Sequence, residues 1–249
     1  MRILPLALLI TMSVLVGSAN ADPLPKRVLI VLTNTAQVPG SDRPTGVWAS
    51  EYTDPYQVFS KAGFEVHVGS PNGGKSPVDP RSGSDANVKR IPPSAWDKMQ
   101  NTKALASVKL QDYAAIFLAG GHGTMWDFPN HPVLGALVSQ AIATNRPVGA
   151  VCHGPAGLLG ATAPDGKPLV AGRKVNSFTN AEERAAGMTT VVPFLLEDRL
   201  RQAGGQFESG GVFQRFMVED RGLITGQNPA SADAVAQRMV DLLKDRVAH

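Results

Sequence analysis

The stretch Arg146-Pro147-Val148-Gly149-Ala150-Val151-Cys152-His153-Gly154-Pro155-Ala156-Gly157 restricts the fold of this chain more than any other. Its first half is apolar without alternation, the pattern of a strand in a parallel sheet covered on both faces. The run stops at a thiol, and a histidine, a glycine and a proline follow. Pro155 suits the first position of a helix, where its missing N–H costs nothing, and the small apolar residues from Ala156 to Ala161 suit the helix itself. Cys152 is therefore expected at a sharp strand-to-helix turn, the layout of a nucleophile elbow at the carboxyl edge of a sheet. There the N-terminus of the following helix would favour thiolate over thiol.

Cys152 is the only cysteine of the chain, so no intramolecular disulfide can form. A lone cysteine is most often a small buried core residue, but at a strand end before His-Gly-Pro the functional reading outweighs the bland one. The absence of pairing matters because the N-terminus reads as an export signal. Met1-Arg2 precede an apolar run from Ile3 to Val16, and Gly17-Ser18-Ala19-Asn20-Ala21 ends it. One basic residue, a short apolar core and a terminal Ala-x-Ala describe a cleavable secretory signal over residues 1–21, cut after Ala21. The run is short for a membrane span, and no cysteine follows it to anchor a lipid. The expected product is a secreted or periplasmic single domain over residues 22–249, off the membrane. The formal charge of +3 has no Lys/Arg cluster behind it and argues against a nucleic-acid partner.

After the proline-flanked Asp22-Pro23-Leu24-Pro25, a first strand is expected over Val28 to Leu32, a loop over Thr33 to Thr45 and a helix over Gln57 to Ala62. Gly63 suits the helix end, and a second strand over Phe64 to Gly69 completes a β-loop-α-β unit. Ser70 to Pro93 is dense in Pro, Gly, Ser, Asn and Asp and too long for a simple connection, so it reads as a small functional or capping insertion. A helix over Ser94 to Val108 would be capped by Ser94 and turn Trp96 and Met99 inward. Ala114 to Leu118 reads as a strand running into Ala119-Gly120-Gly121-His122-Gly123, and Pro132 to Thr144 as a helix. Phe213 to Val218 and Gly222 to Thr225 form a hairpin across Glu219-Asp220-Arg221. The last helix starts near Asn228-Pro229-Ala230-Ser231 with an apolar face at Val235, Met239, Val240 and Leu243. This alternation predicts an α/β fold: a doubly wound, mostly parallel, flavodoxin-like sheet sandwiched by helices.

Chemistry is expected at the carboxyl ends of the strands. The glycines of Gly120-Gly121-His122-Gly123 can turn backbone N–H groups toward an oxyanion, together with the amide of His153. A histidine beside a thiol works best when a carboxylate orients its ring. Glu182 or Glu183, after a short strand over Lys174 to Phe178, can do so; the alternative for both is a helix start that complements the dipole. Glu51 lies in the oddly apolar Val47-Trp48-Ala49-Ser50-Glu51-Tyr52. Beside a thiolate its carboxyl would have a raised pKa and could bond the sulfur or shuttle a proton; the alternative is an ordinary first-turn glutamate. His67 reads as a polar-face residue, His131 and His249 as loop and tail residues. His122 is placed to line a pocket, but no partner at metal spacing accompanies it, and no metal site is expected.

Four stretches together resemble the PfpI superfamily: Ala150-Val-Cys-His-Gly-Pro155, Gly120-Gly-His-Gly-Thr-Met-Trp-Asp-Phe-Pro129, Thr45-Gly-Val-Trp-Ala-Ser-Glu51 and Thr225-Gly-Gln-Asn-Pro-Ala-Ser231. The resemblance runs from about Arg27 to the last helix and is nearest to the heat-shock chaperone and glyoxalase III branch. It implies the class I glutamine amidotransferase-like fold. It further implies Cys152 as nucleophile, His153 as its partner, Glu183 as the acidic third member, Glu51 as the carboxyl contacting the thiol, and the Gly121 and His153 amides as oxyanion hole. The implied activity is glyoxalase III, converting methylglyoxal or a related 2-oxoaldehyde to lactate, a lyase reaction needing no glutathione, cofactor or metal. The alternatives are a cysteine amidase or peptidase, and a holdase chaperone or oxidative-stress sensor without turnover. A homodimer is also in keeping with the resemblance.

Overall fold

A computed structural model describes residues 23–83 and 91–247; the expected signal over residues 1–21 and His249 lie outside them. The main sheet contains β1 (Arg27–Val31), β2 (Glu65–Ser70), β3 (Lys103–Ala104), β4 (Ala115–Leu118), β5 (Val148–Val151), β8 (Met217–Asp220) and β9 (Leu223–Gly226), in the order β3-β2-β1-β4-β5-β9-β8. Every pairing is parallel except β8 with β9. A separate parallel pair joins β6 (Lys174–Val175) to β7 (Gln206–Phe207).

The apolar runs show no alternation because both faces are covered. Val28 and Ile30 of β1 point into one core with Tyr52 and Phe59 of α1 (Ala49–Lys61) and Val235 and Met239 of α7 (Ala232–Leu243). Leu29 and Val31 point into the other, with Leu134 and Val138 of α4 (Pro132–Ala143). Each such fully buried aliphatic side chain contributes about 1.5–3 kcal/mol relative to exposure. The expected face of the last helix, at Val235, Met239, Val240 and Leu243, is buried.

The chain order reverses between β1 and β4, its topological switch point. Loops leaving these strands diverge there and open a crevice at the carboxyl edge. The segments after β1, β4 and β5 converge on it.

Several boundaries differ from the sequence reading, for local reasons. The expected helix over Ser94–Val108 stops early, as α2 (Pro93–Gln100). Thr102 exchanges both backbone hydrogen bonds with Gly74, and Lys103–Ala104 adds an edge strand to β2. Met99 is buried, but Trp96 is 37% exposed rather than turned inward. α1 begins at Ala49 and continues through Pro55, so Glu51 sits in its first turn. Gly154–Leu158 is a five-residue 3-10 turn rather than an α-helix. The hairpin forms, but β8 runs on to Asp220 and the turn is Arg221-Gly222, both at positive φ (51° and 81°), as a tight two-residue turn requires. Leu24 pairs with the C-terminal segment, its N–H donating to the Arg246 carbonyl at 2.7 Å. α3 (Thr124–Asp127), α5 (Asn180–Ala185) and α6 (Leu196–Gln202) complete the helices, and α6 and β7 had no clear sequence signal. Among the described residues no helix is long and apolar enough to cross a membrane.

Candidate active site

Cys152 occupies the turn after β5 with φ = +58°, a left-handed conformation that costs a residue with a side chain roughly 1–2 kcal/mol. Its backbone is fixed on both sides, the N–H donating to the Gly226 carbonyl at 2.9 Å and the carbonyl accepting from Phe178 N–H at 2.8 Å. The strained turn aims the side chain back over the sheet edge, where Sγ lies 3.2 Å from His153 Nδ1. His153 is fully buried, and its Nε2 lies 2.8 Å from Glu183 Oε2.

The two adjacent glutamates divide the tasks that spacing alone left open. Glu182 completes a capping box with Thr179 at the start of α5. Its Oε1 also accepts from Phe213 N–H (2.8 Å), Gln227 Nε2 (3.0 Å) and Asn228 Nδ2 (2.8 Å). Glu183 turns to the histidines: Oε2 to His153, and Oε1 to His122 Nε2 at 2.8 Å. Burial alone would raise the Glu183 pKa, but the neighbouring His153 and hydrogen bonds from both rings bring it well below the usual carboxylate range.

The chain of polar contacts continues outward. Arg81 Nη2 lies 2.9 Å from His122 Nδ1 and pairs with fully buried Asp79, Nη2 to Oδ2 at 2.6 Å and Nε to Oδ1 at 3.0 Å. Burial, then the neighbouring His153 and Arg81, lower the His122 pKa to about 4. Sequence reasoning placed His122 at the pocket but found it no partner, and it missed Arg81 and Asp79 altogether. The signal for the latter two was only that the long polar insertion ought to be functional.

On the other side of the thiol, Glu51 is fully buried. Its Oε2 accepts from Gly120 N–H at 2.8 Å, while Oε1 has no conventional hydrogen-bond partner and the carboxyl contacts the Cys152 thiol. Burial raises the Glu51 pKa well above its ordinary value, against the smaller opposing pull of these two contacts. Burial, and then the adjoining Glu51, likewise push the thiol up. This corrects the expectation that a helix dipole favours thiolate. The 3-10 turn after Cys152 is too short to supply one, and the thiol is buried. What lowers the thiol is the Gly121 N–H, which donates to the sulfur.

Gly121 (φ = +99°) packs against the backbone of Gly46 and Trp48. At Gly120 a Cβ would stand 2.5 Å from Glu51 Oε2 and 2.8 Å from His153 N. The structure thus brings Cys152, His153, Glu183, Glu51 and Gly121 to one point. His67 instead contacts Glu65 and Tyr113, and His131 caps α4 by accepting from Leu134 N–H at 3.2 Å.

The thiol opens into a cavity of about 260 Å³ lined by Trp48, Arg81, His122, Phe178 and Phe213. A more open groove of about 570 Å³ beside Gly135 and Gly160 carries no titratable side chain. The ring nitrogens of His122 and His153 and the Glu183 carboxylate lie within 4.8 Å of one another. By type such a donor set can hold a metal, so the expectation that His122 has no partner at metal spacing is corrected; in this structure each ring bonds the carboxylate directly.

Residues 44–242 match the DJ-1/PfpI family. The glutathione-independent glyoxalase HSP31 of Saccharomyces cerevisiae is 34% identical over 236 residues, covering 89% of this chain and 99% of that one. Among solved structures, Rapid Encystment Protein 24 kDa of Francisella tularensis superposes with a TM-score of 0.84 at 37% identity, covering 88% of this chain and 99% of that one. Glyoxalase III of Candida albicans superposes with a TM-score of 0.79 at 29% identity, covering 87% and 96%.

Proposed function

Because this chain belongs to the DJ-1/PfpI family, we propose that it is a glutathione-independent glyoxalase converting methylglyoxal, or a closely related 2-oxoaldehyde, to the 2-hydroxy acid. The observation that carries this reading is the Glu51–Cys152 pair: a fully buried carboxyl against a thiol, its Oε1 free of any other conventional bond. A buried carboxyl of raised pKa can give up and take back a proton beside the carbon that the sulfur attacks.

The reaction then balances without an outside oxidant. His153 takes the thiol proton, and the thiolate adds to the aldehyde carbon. The resulting alkoxide, held by the Gly121 and His153 amides, takes the Glu51 proton to give a hemithioacetal. Glu51, now ionised, removes the hydrogen from that carbon, while the neighbouring ketone oxygen takes the proton from the His153 imidazolium. This gives an enediol. Glu51 returns the proton to the second carbon and His153 takes the hydroxyl proton from the first, leaving a thioester. The first carbon has lost two electrons and the second has gained them. Water, deprotonated by Glu51, hydrolyses the thioester. His153 protonates the departing sulfur, and the free enzyme is restored. This is the lyase chemistry of a cofactor-independent enzyme.

The test is loss of methylglyoxal and formation of lactate by the purified protein without glutathione. Cys152→Ala and Glu51→Gln should each lose at least about 10²-fold in kcat/KM. A wild-type protein inert toward 2-oxoaldehydes, or a fully active Cys152→Ala, would overturn the assignment. We also propose that residues 1–21 direct export. The protein recovered from the periplasm should then begin at Asp22 by mass, and an intact Met1 there would refute this.

A further inference from the structure

We propose that Arg81 and His122 are positioning residues that fix the direction of the hydrogen-bond chain ending at the Cys152 thiol, by holding His122 in one tautomer. One group in this chain of contacts has no choice of role. A guanidinium donates and never accepts, so the 2.9 Å contact from Arg81 Nη2 obliges His122 Nδ1 to offer its lone pair. Arg81 is itself fixed, its Nε and Nη2 both bonded to the buried Asp79 carboxylate. The single proton of a neutral His122 ring then sits on Nε2 and is donated to Glu183 Oε1. Neutrality agrees with the lowered pKa of this ring, about 4.

The consequence passes through Glu183. With Oε1 receiving a donor, the carboxylate stays ionised and presents Oε2 as an acceptor to His153 Nε2–H. That sets the His153 tautomer too: Nδ1 carries the lone pair and faces Sγ at 3.2 Å, ready to take the thiol proton. If His122 flipped its proton to Nδ1, its Nε2 lone pair would face the Oε1 lone pairs. Glu183 would then have to turn away or become protonated, and a protonated Glu183 can no longer hold the His153 proton on Nε2. The direction of the chain is thus set some distance from the sulfur, by a cation delivered from the insertion between β2 and α2.

The charged and titratable groups around His122 are Arg81, Asp79, Glu183 and His153, with Cys152, Glu51 and Glu182 beyond them. The inference rests on the glyoxalase reading only for its kinetic readout, and the decisive measurement needs no substrate. Long-range proton–nitrogen correlation NMR on the full folded protein with ¹⁵N-labelled histidine reports the tautomer of each ring. His122 and His153 are assigned by their absence in His122→Gln and His153→Gln. His122 should show Nε2 protonated and Nδ1 unprotonated at pH 7, and the neutral form of His153 should carry its proton on Nε2 as well. In Arg81→Met, His122 loses one of the two contacts that fix its tautomer, so its Nδ1 resonance should move and the ring should titrate at higher pH, since removing a neighbouring cation eases protonation. A double variant, Asp79→Asn with Arg81→Met, gives the same readout without leaving a buried unpaired carboxylate.

Kinetics supply the second arm. His122→Leu should lower kcat by about 10²-fold with KM little changed. His122→Gln, whose amide can accept from Arg81 and donate to Glu183, should recover most of that loss. An Nδ1–H tautomer of His122 in the wild type, no change in the Arg81 variants, or full activity of His122→Leu would overturn the proposal. The expected tautomers in a protein inert toward 2-oxoaldehydes would overturn the glyoxalase reading and leave this one standing.

Discussion

Glu182 and Glu183 are consecutive in the first turn of α5 and serve opposite sides of the site. Glu183 takes His122 and His153 on its two oxygens. Glu182 holds the loop that carries Phe213 over the cavity, through Phe213 N–H, Gln227 and Asn228. Replacing each by glutamine should separate these roles. Glu183→Gln puts an amide between two Nε2–H donors and should lower kcat by roughly 10²–10³-fold with a modest change in stability. Glu182→Gln sets an amide donor among groups that already donate. Hydrogen bonds to a charged acceptor contribute about 1.5–3 kcal/mol each, so the melting temperature should drop by roughly 4–10 °C and KM should rise. Thermal melts beside steady-state kinetics check this, and identical profiles for the two variants would refute the division.

Gly120→Ala tests how closely the thiol and carboxyl are packed. The added Cβ would lie 2.5 Å from Glu51 Oε2 and 2.8 Å from His153 N, and neither neighbour is the loose end of a flexible chain. Overpacking of this kind costs about 1–3 kcal/mol. Activity should fall at least about 10²-fold because the displaced groups are the reacting ones. Denaturant titration and turnover of the folded variant measure the two effects; wild-type turnover would show that the contact is slack.

Phe213 stands at the mouth of the cavity, its ring 6.0 Å from that of Phe178 and half exposed (50%). Phe213→Ala removes little buried area, so stability should change by less than about 1 kcal/mol. Specificity should move instead: kcat/KM for phenylglyoxal should rise relative to methylglyoxal by roughly 10-fold, the scale of a pocket contact. An unchanged ratio would place the substrate away from this ring.

Asp127 gives a pH signature unrelated to catalysis. Its Oδ2 accepts from Thr33 Oγ1 and Asn34 N–H, its Oδ1 has no partner, and burial raises its pKa to about 6. A carboxyl whose folded pKa exceeds the ordinary value near 3.9 favours folding when protonated. Its contribution is therefore complete below about pH 4 and is lost as pH rises through about 6. The wild type should gain about 2–3 kcal/mol on Asp127→Asn between pH 7.5 and pH 4, read from urea unfolding at each pH. A pH-independent difference would mean the carboxyl is not perturbed.

Much of the architecture was legible in residues 146–157 and in the other apolar strands, because a strand buried on both faces must be apolar at every position. The boundary errors have local causes. Thr102 found backbone partners across the chain at Gly74, which ended α2 early, and α1 ran on through Pro55. Neither is visible in a window of neighbours.

The sequence by itself determined that Cys152 ends a buried strand beside His153, and that Glu51 sits in an apolar setting. Each of these is written in adjacent residues. Only the tertiary structure decided which of Glu182 and Glu183 meets the histidines, that His122 joins them, and that Arg81 stands behind His122. Those contacts join residues 30 to 61 positions apart. Which oxygen meets which nitrogen there depends on how α5 and the insertion dock against the sheet edge, and spacing along the chain carries no record of that.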